Sequence, residues 1–369
     1  MLQTPYYLLK EEKLEENLKL LEYIQEQSGA KILLALKGFA FTSSFDLVSK
    51  YLQGCCASGL YEAKLAYEEF KKEVHTYSPA FKENEIDEIL SISNHIIFNS
   101  FNQWQKYKEK ALKADVSIGL RINPEVSASP KEIYNPCGLN SRLGITKKEF
   151  KPELLRGVDG FHFHALCEQG SDELELVLNA FEKNFGEYLH ELKWINFGGG
   201  HHITKDGYHV KKLIKLIKDF KNKYDVKVYL EPGEAVGWES GVLVAKVLDI
   251  VDNGMQIAIL DTSAEAHMPD TIIMPYRSEV EGAKKAGVNP YTYQLAGNTC
   301  LAGDIMGNYS FKSPLKIGDE IIFKDQIHYT IVKNTTFNGI KLPNLVIERK
   351  DGTKELVKEF GYEEYKRRV

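Results

Sequence analysis

Lys37 closes the apolar run Lys31-Ile-Leu-Leu-Ala-Leu-Lys37, just before Gly38. A run of this kind suits a parallel strand buried on both faces. An ammonium at the end of such a strand is costly to desolvate. Its pKa should fall, and the neutral amine then becomes the nucleophile of a Schiff-base lysine. Three further groups have chemical potential. Phe161-His162-Phe163-His164 puts His162 and His164 on one face by strand periodicity. Gly198-Gly199-Gly200 lets backbone N–H groups close on an anion. Glu231-Pro232-Gly233-Glu234 supplies two carboxylates. Each has a plain structural alternative: a lysine leaving for solvent, a satisfied core histidine, a tight turn, an ion-pair partner. Position 203 is isoleucine, so the glycines do not form the G-x-G-x-x-G of a dinucleotide site, and no phosphate-binding G-x-x-x-x-G-K-[ST] occurs.

What gives the four groups a common meaning is the set of elements that must carry them. Residues 10–27 read as an amphipathic helix with Leu14, Leu18 and Leu21 on its apolar stripe, ended by Ser28-Gly29. Short apolar runs then recur at 31–37, 54–57, 74–77, 95–98, 116–122, 160–163, 194–197 and 226–230. Helical stretches lie between them, such as the one carrying Val210, Leu213, Ile214, Ile217 and Phe220. Strands alternating with helices in this way predict an α/β fold, a (β/α)8 barrel rather than an open sheet. The long gap between the strands at 116–122 and 160–163 predicts a functional loop.

Beyond about residue 241 the pattern becomes strand-like, with hairpin signals at Asp252-Asn253-Gly254 and Asp351-Gly352. GDEIIFKDQIHYTIVK continues in strand style, and the opening TPYYLLK reads as one more strand of the same region. The expected division is a barrel over 11–240 and a mostly β domain over 241–369 plus 1–10.

Composition narrows the function classes. The chain has 369 residues, 43% hydrophobic, and a formal net charge of -5 from 47 basic and 52 acidic side chains, enough to bury a large core or two. The charges are mixed, with no basic stripe to suggest a nucleic-acid partner. No apolar stretch reaches the roughly 18 residues of a membrane span. The opening MLQTPYYLLKEE lacks the basic start and apolar core of a signal peptide. Five cysteines, with Cys55 and Cys56 adjacent, do not make a disulfide framework and read as reduced. A cytoplasmic protein without a membrane or nucleic-acid partner is expected, and no metal site is expected.

In a (β/α)8 barrel the chemistry sits where the strands end, with phosphate often held after the last two strands. Lys37, His164, the triple glycine and Glu231 all fall at such ends, and together they fit pyridoxal 5'-phosphate. Lys37 would attach it, His164 would lie against its ring, the glycine turn would hold its phosphate, and Glu231 would keep its pyridine nitrogen protonated.

The order A-L-K, F-H-x-H, G-G-G, E-P-G, then G-x-x-C-x-x-x-D and G-x-Y resembles the alanine-racemase-fold, or fold type III, pyridoxal-phosphate decarboxylases, over nearly the whole chain. FHFHALCE, EPGEAV, DTSAEAHMPD, MPYRSEVEG and GNTCLAGD resemble in particular the branch acting on carboxynorspermidine and carboxyspermidine. The resemblance implies a carboxy-lyase of polyamine biosynthesis, working as a homodimer with shared sites. It implies catalytic roles for Lys37 and Cys300, the latter reaching the site of the second subunit as an acid. Lys37, His164, Gly199, Gly200, Glu231, Gly233 and Tyr309 become cofactor contacts. Glu234, Asp270 and, more weakly, Asp261 become partners for the distal amines of the substrate.

Departures from that pattern matter. Glu234 stands where the ornithine and diaminopimelate enzymes have arginine, and Leu166-Cys167 replaces their glycine-serine. Leu301 replaces the aspartate after the catalytic cysteine of the ornithine enzymes, which leaves the role of Asp304 open. A racemase would call for arginine opposite the pyridine nitrogen, and a dead regulator would tolerate loss of Lys37 or Cys300. The two triamine substrates differ by one methylene, a distinction typically worth about 1–3 kcal/mol that leaves little trace in sequence.

Overall fold

The computed structural model describes residues 2–129 and 131–369. Its strands, in chain order, begin with β1 (Tyr6–Lys10). Eight more follow: β2 (Lys31–Ala35), β3 (Gly54–Ala57), β4 (Glu73–Tyr77), β5 (His95–Phe98), β6 (Ser117–Arg121), β7 (Gly160–His162), β8 (Trp194–Asn196) and β9 (Lys227–Leu230). The second half supplies β10 (Gly241–Asp252), β11 (Gln256–Leu260), β12 (Lys284–Lys285), β13 (Tyr291–Ala296), β14 (Ile305–Phe311), β15 (Glu320–Lys324), β16 (Asn344–Glu348) and β17 (Lys354–Lys358).

The chain divides into two compact units. One comprises residues 16–38 and 44–236, the other residues 1–15, 39–43 and 237–369. The short piece 39–43 goes with the second unit.

In the first unit β2 to β9 close into a parallel barrel, each strand pairing with the next and β9 with β2. Leu33, Ile97, Trp194 and Tyr229 pack together among its strands. The glycine that opens β7 makes room for this packing: a Cβ at Gly160 would collide with the Trp194 indole. Trp194 Nε1 donates to Ser117 Oγ at 2.8 Å, so the buried indole N–H is satisfied. Around the barrel the amphipathic helix Val210–Tyr224 buries Leu213, Ile217 and Phe220 of the predicted stripe and adds Tyr224, while Val210 and Ile214 are only partly buried.

Two readings from the sequence need correction. Strand β2 ends at Ala35, and residues 36–38 form a turn, so Lys37 lies beyond the strand and its side chain is open to solvent rather than enclosed. Likewise β7 ends at His162, two residues before His164. Leu36 N–H bonds to Cys56 O at 3.2 Å and Gly38 N–H to Ala35 O at 2.9 Å, which turns the chain away from the β2 ladder.

Among its described residues, the long segment between β6 and β7 holds the short 3-10 turns Glu132–Tyr134 and Pro152–Leu154 and a single bridge between Ile122 and Ile145. It is tied to the barrel by side chains. Asn99 Nδ2 donates to Arg142 O (2.8 Å) while Asn99 Oδ1 accepts from Gly144 N–H (2.7 Å), and Ser127 Oγ donates to Ala165 O (2.8 Å).

The second unit is a nine-stranded sheet in the order β12-β14-β13-β11-β10-β1-β16-β17, with β15 also on β10. The opening strand is central to it: β1 pairs antiparallel with β10 and parallel with β16. Tyr6, Leu8, Val242, Val244 and Val346 form the cluster that this pairing buries. Both hairpins stand where Asp252-Asn253-Gly254 and Asp351-Gly352 predict them, with Gly254 and Gly352 at positive φ. The run HYTIVK is not a strand. After β15, Asp325 and Tyr329 take positive φ, and Thr330–Lys333 is a helical turn. No helix among the described residues is long and apolar enough to cross a membrane, and all five cysteines are free thiols.

Candidate active site

The ends of β2, β7, β8 and β9 bring Lys37, His164, the glycine turn and Glu231 to the same end of the barrel, because all eight strands run parallel. Although the Lys37 side chain is open to solvent, protein surrounds it closely enough to push its ammonium pKa down. Desolvation is the main cause; Arg121 pushes the same way, while Cys56 and Glu231 oppose it.

Glu231 is 8% exposed. Its Oε1 accepts from Asn196 Nδ2 at 2.7 Å and its Oε2 meets His162 Nε2 at 3.1 Å. Burial alone would raise the carboxyl pKa, but His162 outweighs it and holds Glu231 below the ordinary carboxylate range. His162 is itself lowered by burial, so it meets the carboxylate as a neutral imidazole donating from Nε2. The result is an anion fixed between two neutral donors.

His164 is aimed by the glycine turn. Gly199 N–H donates to His164 Nδ1 at 2.8 Å, which makes Nδ1 the acceptor and leaves the ring proton on Nε2. Burial pushes the His164 pKa well down, so the ring stays neutral. The turn is fixed in the same way, with Gly198 N–H on Asn196 Oδ1 (2.8 Å) and Glu231 N–H on Gly198 O (2.8 Å). Gly200 takes φ +82, and a Cβ there would run into the Leu166 carbonyl. The first two N–H groups are therefore bonded inside the protein. Gly199 orients the histidine, and Gly200 N–H has no acceptor among the described residues. At Gly233 a Cβ would lie 2.9 Å from Ala35 O and 3.0 Å from Gly38 Cα, so the turns after β9 and β2 touch through bare backbone.

Three side chains extend this site beyond those singled out as cofactor contacts. His162 and Asn196 hold Glu231. The buried Arg121, at the end of β6, stacks its guanidinium 4.6 Å from the Tyr77 ring centroid, and its Nη2 lies 3.5 Å from His164 O. The spacing of His162 and His164 signalled one of them; an arginine ending the apolar run VSIGLR would have been the signal for another, and the sequence reading passed over it. The donor set fits pyridoxal phosphate. An amine of lowered pKa serves a carbonyl carbon, a fixed carboxylate serves a pyridine N–H, and a turn without side chains serves a phosphate.

Of the remaining predicted residues, Glu234 belongs to the barrel unit, while Cys300, Tyr309, Asp270 and Asp261 lie in the sheet unit. Cys300 is exposed, and its N–H donates to Asn338 Oδ1 at 2.7 Å. Tyr309 is buried, donates its hydroxyl to Ser278 O at 2.7 Å, and lies 3.7 Å from the Arg277 guanidinium. Asp270 is ion-paired with Lys333 at 2.7 Å. Asp261 accepts from Thr4 Oγ1 (2.6 Å) and Lys246 N–H (2.7 Å), a link between the opening segment and β10. Glu234 opens the short helix Glu234–Gly237 directly after Gly233.

Comparison with known proteins concerns the chain as a whole. The chain is 58% identical to a carboxynorspermidine/carboxyspermidine decarboxylase of Campylobacter jejuni, over 99% of this chain and 98% of that one. It is 43% identical to a carboxyaminopropylagmatine decarboxylase of Synechocystis, over 100% and 96%. Among solved structures it resembles the C. jejuni carboxynorspermidine decarboxylase complexed with norspermidine, at 55% identity, full coverage of both chains and a TM-score of 0.94. Residues 34–326 match the family described as pyridoxal-dependent decarboxylase, C-terminal sheet domain, and the chain therefore belongs to the pyridoxal-dependent decarboxylases.

Proposed function

We propose that this enzyme decarboxylates carboxynorspermidine and carboxyspermidine, releasing carbon dioxide and norspermidine or spermidine. The observation that carries the reading is similarity along the whole chain to a relative of that activity, joined to the Lys37–His164–Glu231 arrangement at the barrel end. Bound pyridoxal phosphate supplies the electron sink that receives the pair left when carbon dioxide departs.

The chain's own residues do the rest. Lys37 Nζ is the point of covalent attachment, prepared by its lowered pKa. Glu231, ionised and clamped by His162 and Asn196, holds a proton on the pyridine nitrogen. His164, kept neutral and in one tautomer, would stack on the cofactor ring. Gly200 and Gly233 would admit the phosphate closely, and Tyr309 is the tyrosine that the family resemblance assigns to it. Cys300 holds the proton on Sγ that returns to the α-carbon.

Glu234 is the first candidate for the distal amines, since it sits one residue beyond Gly233 in place of a cation. Asp270 is the second; to serve, it must exchange the Lys333 ammonium for a substrate ammonium, a swap of like charge. Asp261 is the weakest, because its carboxylate already accepts two hydrogen bonds.

The working form is a homodimer in the cytoplasm, in which Cys300 of one chain serves Lys37 of the other. The five free thiols suit a reducing compartment. Mixing Lys37→Ala and Cys300→Ala proteins should restore about a quarter of wild-type sites by random assortment. Subunit exchange shown by labelling without recovered activity would refute the shared site.

The substrate assignment is tested by carbon dioxide release from carboxynorspermidine, carboxyspermidine, carboxyaminopropylagmatine, diaminopimelate and ornithine. The highest kcat/KM is expected for the first two. A higher value for carboxyaminopropylagmatine would move the enzyme to the Synechocystis activity. A higher value for diaminopimelate or ornithine would overturn the polyamine reading altogether.

A further inference from the structure

Cys300 sits at the tip of an exposed turn, and an exposed turn is a poor place from which to deliver a proton to one carbon atom. Residues 300–303 are all exposed, whereas Asp304, which follows them, is 3% exposed. The buried carboxylate meets five donors. Oδ1 accepts from Ser263 Oγ (3.0 Å), Ala264 N–H (2.6 Å) and Glu265 N–H (3.2 Å). Oδ2 accepts from Thr299 N–H (3.2 Å) and Thr299 Oγ1 (2.6 Å).

All five donors are neutral. Such a set satisfies a buried carboxylate and is stronger per bond than a neutral pair. It is also directional in a way a single ion pair is not. Ser263 completes the network as the N-cap of the helical turn Ala264–His267, accepting from Ala266 N–H at 3.0 Å. The backbone adds two ties, Gly297 N–H to Asp304 O (2.8 Å) and Asp304 N–H to Leu301 O (3.0 Å). Thr299, bound twice to Asp304, is the residue directly before Cys300, and Cys300 N–H is held from the other side by Asn338 Oδ1. The exposed tip therefore hangs from two fixed points one residue apart.

We propose that Asp304 is the positioning residue for Cys300: its buried carboxylate locks Thr299 to the Ser263–Glu265 turn, so the thiol is presented from a fixed backbone. The proposal rests on the reading of Cys300 as proton donor. A proton donor must be held within about half an ångström of its productive place, and groups on loops meet that demand only when a supporting set of hydrogen bonds fixes the loop.

The test uses cofactor-loaded enzyme carrying Asp304→Asn, Cys300→Ser, or both, with kcat and KM for carboxynorspermidine, the absorbance band above 400 nm and the melting temperature as readouts. Asp304→Asn is expected to lower kcat about tenfold while KM and the absorbance band stay unchanged. In the Cys300→Ser background the same substitution should change kcat less than about twofold, because its target is gone. Losses that multiply in the double variant, or a wild-type kcat in Asp304→Asn, overturn the positioning role alone. A wild-type kcat in Cys300→Ser removes the donor reading and this proposal with it. Should Asp304→Asn fail to fold, Thr299→Ala removes the Oγ1 bond to Asp304 Oδ2 and the longer one from Leu301 N–H. A threefold loss of kcat that disappears in the Cys300→Ser background supports the proposal, and an additive loss rejects it.

Discussion

The barrel carries a lysine, a glutamate and a histidine at each of its two ends, and the two sets are arranged differently. At the end where the strands start, Lys31 Nζ lies 2.5 Å from Glu73 Oε1, while His75 Nε2 meets Glu73 Oε2 at 3.2 Å. His75 stacks on His95, with ring centroids 3.8 Å apart and planes 10° from parallel. At the end where the strands finish, no ion pair joins Lys37 to Glu231 among the described residues. Glu231 is held by Asn196 and a neutral His162, and Lys37 keeps its amine with a lowered pKa. The same residue types make a closed ion pair in one place and a separated acid and base in the other. What differs is whether the ammonium has been given its counter-ion. A paired lysine stabilises the fold and is chemically spent; an unpaired one costs stability and stays reactive.

The Glu73, His75 and His95 grouping also has the composition of a metal centre, with ligand atoms within 4.8 Å of one another. Its geometry is that of a packed polar cluster. The stacked rings hold their in-plane lone pairs in two nearly parallel planes that do not meet at one point, and Lys31 is already ion-paired with the carboxylate.

The contrast can be broken or sharpened by substitution at each end. The largest effect is expected from Lys37→Ala, which should lower kcat about ten-thousandfold and abolish borohydride trapping of cofactor, without loss of melting temperature. Trapping at normal turnover in this variant would remove Lys37 from the chemistry. Next, Glu231→Gln should cut kcat about a hundredfold or more and leave cofactor binding in place, since the amide cannot hold the pyridine proton. Near-normal kcat with an unchanged melting curve would show that Glu231 is structural like its counterpart.

Glu73→Gln should do the reverse. It should cost about 1–3 kcal/mol, read as a fall in Tm of several degrees, with kcat preserved at assay temperature. The pH window follows from its pKa. Burial raises it, but the bonds from His75 and Lys31 outweigh burial and bring the carboxyl from 4.5 down to about 2. A folded-state pKa below the unfolded one means the stabilisation is full above about pH 4.5 and is lost as pH falls towards 2. Melting curves of wild type and variant should therefore converge over that range; a constant Tm difference would sever the link. The smallest effect concerns His95, whose pKa burial and His75 lower to about 2 from 6.5. Its neutral form stabilises the fold above pH 6.5, and that contribution declines as pH drops below it. His95→Asn should flatten the decline of Tm between pH 6.5 and 5, and an unaltered slope would place the acid sensitivity elsewhere.

Much of the architecture was legible along the chain because it depends on short-range pattern. Apolar runs and helical stripes recur at barrel spacing, turn residues mark both hairpins, and parallel strands must end on one side. That geometry alone collects Lys37, His164, Gly200 and Glu231. What the chain could not reveal is which polar atoms satisfy one another across long separations. Asp270 meets Lys333 and Tyr309 meets Ser278, each pair joined only by folding. Glu231 owes its fixed charge to His162, 69 residues away, and to Asn196, 35 away. Gly199 turned out to orient a histidine rather than face outward. A residue's type and strand position follow from local sequence. Whether its charge is paired, and so whether it is structural or reactive, is decided by which neighbour the tertiary fold brings within about 3 Å, the reach of a hydrogen bond.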